Sequence, residues 1–257
     1  MKKNLNPKNL PLTAFAAGFL ALLLRWLVNL LATDGRGLIV SRHPLVIALW
    51  IVTALTAALI LLQVRGLDGS RRYAPNFPAS RSAALGCGFM ALCTMVTTAL
   101  SWEITTLGLL RYILGQAAGC CLIFLTYARY RGIKPSFLFH AVVCVFFAVH
   151  MVSRYRPLSG EPQLLNFVFE IFACVGLTLF AYQQAAFEVG LGKRRMQLAL
   201  GLLTAYCCLA AIPAAPQPQL YAGGAVWTLN TLCTLTPPPR RRKAAPEAPR
   251  DDTHETA

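Results

Sequence analysis

The 257-residue chain is 56% hydrophobic and only 13% charged, far from the roughly 25% charge typical of soluble domains. Its apolar residues come in long blocks, which excludes an ordinary soluble globular domain and predicts a multi-pass membrane protein. The net charge of +14 does not point to nucleic acid: the basic residues occupy short segments between apolar blocks, where they orient a membrane chain, and form no phosphate-binding stripe.

Taken in order, Lys2 and Lys3 precede an apolar run that continues past Arg25 to Ala32 with no good small-x-small cleavage site. This predicts a first span over 11–32 in place of a cleaved signal peptide. The span holds Arg25 and Asn29. An arginine near the centre of a span costs about 2.5 to 3.5 kcal/mol on insertion scales, so it turns toward protein or water. Gly18, Ala21, Arg25, Asn29 and Ala32 share one face, a small and polar stripe on a helix otherwise coated with leucine.

The second span, 44–64, carries Thr53 and Thr56. The third and fourth, 83–101 and 104–127, are parted only around Glu103, which predicts a tight helical hairpin. Thr94, Thr97 and Ser101 share a face of the third. On the fourth, Arg111 aligns with Gly115 and Gly119, a small-residue pair that admits a neighbouring helix closely. The fifth span, 136–152, has His140 and His150 toward opposite ends, with Arg154 one turn beyond His150. The sixth, 164–187, bears the longest polar stripe: Gln163, Asn166, Glu170, Ala173, Leu177, Ala181, Gln184 and Glu188.

The seventh span runs over 196–212 and the eighth over 219–235. The eighth is the weakest, with Asn230 and several threonines. It is retained because its removal would place Arg240 to Lys243 outside. Eight spans with both termini cytoplasmic leave only Arg36, Arg42, Arg154 and Arg156 outside, and the other loop and terminal basic residues inside, as the positive-inside rule requires. Residues 1–236 are read as one membrane domain. The tail, 237–257, is proline-rich and charged and predicted to be disordered, with its basic cluster drawn to anionic membrane lipid. The expected location is the cell membrane.

No catalytic or metal motif survives inspection. The nine cysteines all lie in apolar blocks without metal-ligand spacing and read as small hydrophobes. No HExxH joins the histidines. Arg156 to Gly160, "RPLSG", has no following histidine of the kind a membrane phosphatase signature needs. Asp34-Gly35 and Asp68-Gly69 lack the further aspartates of a metal-dependent phosphotransferase, so they read as turns. Neither an enzyme nor a cofactor is expected.

Depth along the helices singles out one layer. At 1.5 Å per residue, Arg25, Arg111 and Glu170 lie roughly 9 to 12 Å below the outer boundary. With Asn29, Asn166 and His150 they form the predicted ligand-binding set, walled by Trp26, Trp102 or Tyr112. Two guanidinium groups against one carboxylate leave a positive charge for a small anionic ligand. The bland alternative is that Glu170 pairs with these arginines only to hold helices together. The sequence thus points to a transporter or substrate-binding membrane component. The alternative function is a non-catalytic sensor or scaffold that relays to a cytoplasmic protein partner through the basic inner loops. A transporter needs a second polar layer, for which Gln63, Gln183, Gln184 and Glu188 are the candidates.

Overall fold

Each apolar block forms one long helix, and local sequence marks where most of them begin and end. The computed structural model describes residues 10–34, 39–65, 71, 73–158 and 167–235. The helices are α1 (Leu10–Leu31), α2 (Pro44–Arg65), α3 (Tyr73–Asn76), α4 (Arg81–Leu100), α5 (Thr106–Arg131), α6 (Phe137–Leu158), α7 (Val168–Glu188), α8 (Arg194–Ala211) and α9 (Pro218–Cys233). No strand forms among the described residues, where Thr33 and Ile39 make a lone antiparallel bridge. Pro44 and Pro218 open their helices, where a missing N–H is harmless. Ser80 and Thr105 cap α4 and α5 by accepting from the N–H groups of Ala83 and Gly108. Gly132 ends α5 with φ of 69°, a conformation costly for side-chain-bearing residues.

Six helices form a closed ring in the order α4, α5, α6, α7, α8, α9 and back to α4, while α1 and α2 pack on the outside of α8. The expected α4–α5 hairpin is present, its far end tied by the Ser80 N–H donating to the Arg129 carbonyl at 3.1 Å. A Cβ at Gly115 would overlap Thr98, and one at Gly119 would overlap Met95, so these glycines set how closely α4 and α5 approach. Gly115→Leu is therefore expected to cost about 1 to 3 kcal/mol of overpacking strain. Thermal unfolding in detergent measures this. A melting temperature equal to the wild type would contradict the close approach.

Six helices (α1, α2, α4, α5, α6 and α7) are long and apolar enough to cross a membrane. The two remaining long helices, α8 and α9, fall short by that measure, and their place in the ring explains it. Most of their residues are buried against protein, including Gln197, Thr204, Thr228 and Thr231. A helix sheltered from lipid tolerates polar side chains that a lipid-facing one does not. The exterior is the reverse of a soluble protein's: Leu12, Leu55, Ile113, Phe124, Leu138 and Phe172 are among many large apolar side chains left exposed.

Candidate functional site: two buried polar layers

The inward stripes read from the sequence are inward in the structure. Gly18, Ala21 and Arg25 belong to the buried face of α1, Arg111, Gly115 and Gly119 to that of α5, and Glu170, Ala173, Leu177, Ala181, Gln184 and Glu188 to that of α7. Two polar layers result, at opposite ends of α5, α6 and α7, here labelled outer and inner after the orientation expected from the charge pattern.

The outer layer gathers Arg25, Arg111, His150 and Glu170, all at most 5% exposed. Their partners differ from the simplest expectation. Glu170 pairs with Arg154 of α6, whose Nη2 lies 3.5 Å from Oε2, and the same oxygen accepts from the Tyr221 hydroxyl of α9 at 3.3 Å. Arg111 instead meets Glu103 at 3.5 Å and donates to the carbonyl of Ser101, so it closes the α4–α5 turn. The Arg25 guanidinium lies over the Phe169 ring, 5.8 Å from its centroid. His150 is within electrostatic range of both Arg111 and Arg154. Its Nδ1 and the Oε1 of Glu170 are buried without a hydrogen-bond partner. Beside Glu170, Arg154 and Tyr221 is a cavity of about 10 Å³, room for roughly one water.

Other expected site residues take different parts. Asn29 donates its amide to the carbonyl of Pro213 at 3.1 Å, tying α1 to the α8–α9 turn. Asn166 and Gln163 lie outside the described residues. Trp26 is exposed and lines no described pocket. Trp102 and Tyr112 pack edge to face at 4.8 Å at the hairpin turn. The hydroxyls of Thr94, Ser101 and Thr53 bond carbonyls of their own helices, which is the structural use of such side chains, whereas that of Thr97 is buried without a hydrogen-bond partner.

The inner layer is more tightly connected. Arg129 donates from Nη2 to Oε1 of Gln184 at 2.6 Å, and its guanidinium lies 4.0 Å from the Phe77 ring centroid. The same Gln184 oxygen is 3.1 Å from Nε2 of His140. An arginine only donates, so the atom facing it is an acceptor and His140 Nε2 must carry the hydrogen. On its other side His140 Nδ1 lies 2.8 Å from Oε1 of Glu188, both side chains being 1% exposed. Of the four inner-layer candidates, Gln184 and Glu188 join this network. Gln183 holds the carbonyl of Lys193 at 3.2 Å instead, and the Oε1 of Gln63 is buried without a partner.

Between the layers the ring is filled by apolar side chains. Phe180 and Trp227 meet edge to face at 5.2 Å, and Leu177, Met90, Phe146 and Phe147 are fully buried in the same core. At 1.5 Å per residue, Glu170 lies roughly 21 to 27 Å along α7 from Gln184 and Glu188, most of the hydrocarbon thickness.

Arg129 and Arg154, placed outside the spans expected from the sequence, are helical and join the two networks, because α5 and α6 run past their apolar blocks to Arg131 and Leu158. No helix breaker precedes Gly132, which was the available signal for Arg129. For Arg154 the signal was its one-turn spacing from His150. Tyr221 had none, since its role depends on α9 lying against α7.

Membrane-length apolar helices, an apolar exterior and polar groups turned inward are the build of a multi-pass integral membrane protein. No protein-family model, curated protein or solved structure matches the chain.

Proposed function

We propose that the protein is a transporter or substrate-binding membrane component for a small anionic solute, with eight spans and both termini cytoplasmic in the cell membrane. The observation that carries this reading is the pair of buried polar layers at opposite ends of the same three helices, separated by an apolar plug. Buried polar and charged groups within membrane helices commonly mark solute or ion pathways, and an apolar barrier between two such layers suits access from one side at a time, whereas a scaffold needs neither layer. In this arrangement the outer layer, richer in guanidinium than in carboxylate, receives the anion. The small outer cavity then corresponds to a closed state, and a rearrangement of α6 and α7 around Glu170 and Arg154 admits the ligand.

The test is binding and vesicle uptake of a panel of small anions, inorganic phosphate and short carboxylates among them, by wild type and Arg111→Ala. Saturable uptake that falls at least tenfold in the variant supports the reading. No binding or uptake of any member by the wild type would overturn it. The sensor or scaffold alternative is favoured by one observation, the near absence of space beside Glu170 in a layer whose charges already have partners.

Span number is tested separately. Reporters inserted at Glu103 and at Lys134 should give opposite signals, and those at Glu103 and Ala214 the same one. Opposite signals at Glu103 and Ala214 would remove the eight-span topology.

A further inference from the structure

The inner layer holds two titratable groups to which anion binding gives no task. His140 of α6 and Glu188 of α7 face each other, Nδ1 to Oε1, at 2.8 Å, and both side chains are 1% exposed. We propose that they form a proton-binding site that latches α6 to α7: one proton on the pair holds the two helices together, and its release lets their inner ends part.

Lone pairs are the first argument. His140 Nε2 donates to Gln184 Oε1, the oxygen that Arg129 also approaches, so a neutral imidazole has its only hydrogen there and presents a lone pair at Nδ1. Nδ1 and both oxygens of Glu188 are buried without a hydrogen-bond partner. Two acceptors 2.8 Å apart repel, and each is costly to bury unsatisfied. A proton on either atom relieves both. The ligand set suits a proton better than a metal ion, since no group of three or more His, Cys, Asp or Glu among the described residues could hold one.

The surroundings are the second. Arg129 of α5 reaches the pair through Gln184, and Tyr73 of α3 is within electrostatic range of Arg129, Glu188 and Cys87 of α4. Arg194, at the start of α8, is also buried at this end of the bundle, whereas Arg131, Lys134 and Lys193 are exposed. Water is near: Glu188 is the last residue of α7, and Val189 and Gly190 just beyond it are exposed. A proton therefore has little depth to cross. Histidine and glutamate inside membrane helices are the side chains from which proton paths are built.

The seam between α6 and α7 is the third. Its inner end is joined by His140 to Gln184 and Glu188, its middle by the Cys144 thiol to the Thr178 carbonyl at 3.5 Å, and its outer end by Arg154 to Glu170. Loss of the proton turns the contact with Glu188 from attraction to repulsion and leaves the outer pair as it was, so parting starts at the inner end. The inference requires membrane embedding only and stands apart from the transport reading. Within that reading it makes the proton the coupling ion.

The full chain in lipid nanodiscs would be brought from about pH 5 to about pH 9, a range that brackets the ordinary imidazole. Infrared difference spectra read a protonated Glu188 carboxyl, nitrogen-15 spectra of labelled histidine read an imidazolium at His140, and hydrogen exchange corrected for its intrinsic pH dependence reads the seam. A proton signal from one of the two side chains should be present at the low end and lost at the high end. Over the same interval the amides at the inner ends of α6 and α7 should come to exchange at least tenfold faster, with those where α4 meets α5 unchanged. Glu188→Gln gives Nδ1 a permanent donor, so it should lose the signal and keep the seam closed throughout. A purely structural pair predicts no pH dependence in the wild type and a looser seam in this variant. If E188Q does not fold, the wild-type profile decides. A proton signal or exchange rates that do not change with pH, opening that persists in E188Q, or equal opening between α4 and α5 would each overturn the proposal. None of these outcomes depends on a transported anion, so failure of the transport reading would leave them standing.

Discussion

His140→Leu is expected to lower the unfolding free energy by about 3 to 5 kcal/mol, the usual cost of leaving a buried acidic side chain without its partner. The imidazole is the only side chain within salt-bridge distance of Glu188 among the described residues, and the Oε2 of that carboxylate already has no hydrogen-bond partner. Removing His140 also withdraws one of the two donors from Gln184 Oε1. The double variant H140L/E188L should recover most of the loss, because apolar replacement of a whole buried pair is often neutral or stabilising. A double-mutant cycle of thermal or denaturant unfolding in one detergent measures both. A single-variant cost below about 1 kcal/mol would mean the pair is not desolvated as its burial implies. If the double variant folds but loses uptake, the pair serves function and not only stability.

The second large effect concerns the outer layer. Glu170→Arg places a third guanidinium near Arg154 and Arg25, and a loss of about 3 kcal/mol or more is expected. Adding Arg154→Glu should restore most of it, since Arg154 and Glu170 are the pair in contact. Adding Arg111→Glu should not, since Arg111 is engaged by Glu103 and Ser101 at the hairpin turn. Melting temperatures of the three variants separate these cases, and rescue by Arg111→Glu alone would refute the observed pairing. Under the transport reading the R154E/E170R exchange restores folding but still abolishes anion binding, because the guanidinium fork has moved to α7.

The contrast between these exchanges shows where sequence reasoning stops. Depth and face placed Arg111 and Glu170 in one layer, and both are there. Their partners depended on two facts that depth does not contain. The α4–α5 turn brings Glu103 within reach of Arg111, a contact short in sequence but set by the path of residues 101–105 between the two helices. Arg154 reaches Glu170 because α6 continues helically beyond its last apolar turn. Similarly, His140 was passed over because His150 lies toward the opposite end of the same span, whereas its polar neighbours, Gln184 and Glu188, come from α7.

The sequence by itself determined the all-helical class, the approximate positions of the eight long helices though not the ends of α5 and α6, the small-residue face of α5 and the inward stripes of α1 and α7. Those features follow from local rules: a segment's apolar length, its helical period and its capping residues act over a few turns and need no neighbours. Only the tertiary structure decided that α8 and α9 complete the ring although too polar or too short to face lipid, that α1 and α2 lie outside it, and which charge meets which. Ion pairs among buried helices are chosen by helix order and rotation, and in hydrocarbon many orders satisfy the same stripes. The order that holds here is the one that packs Gly18, Gly115, Gly176 and Gly201 against Leu209, Thr98, Thr204 and Phe180, contacts no single helix encodes.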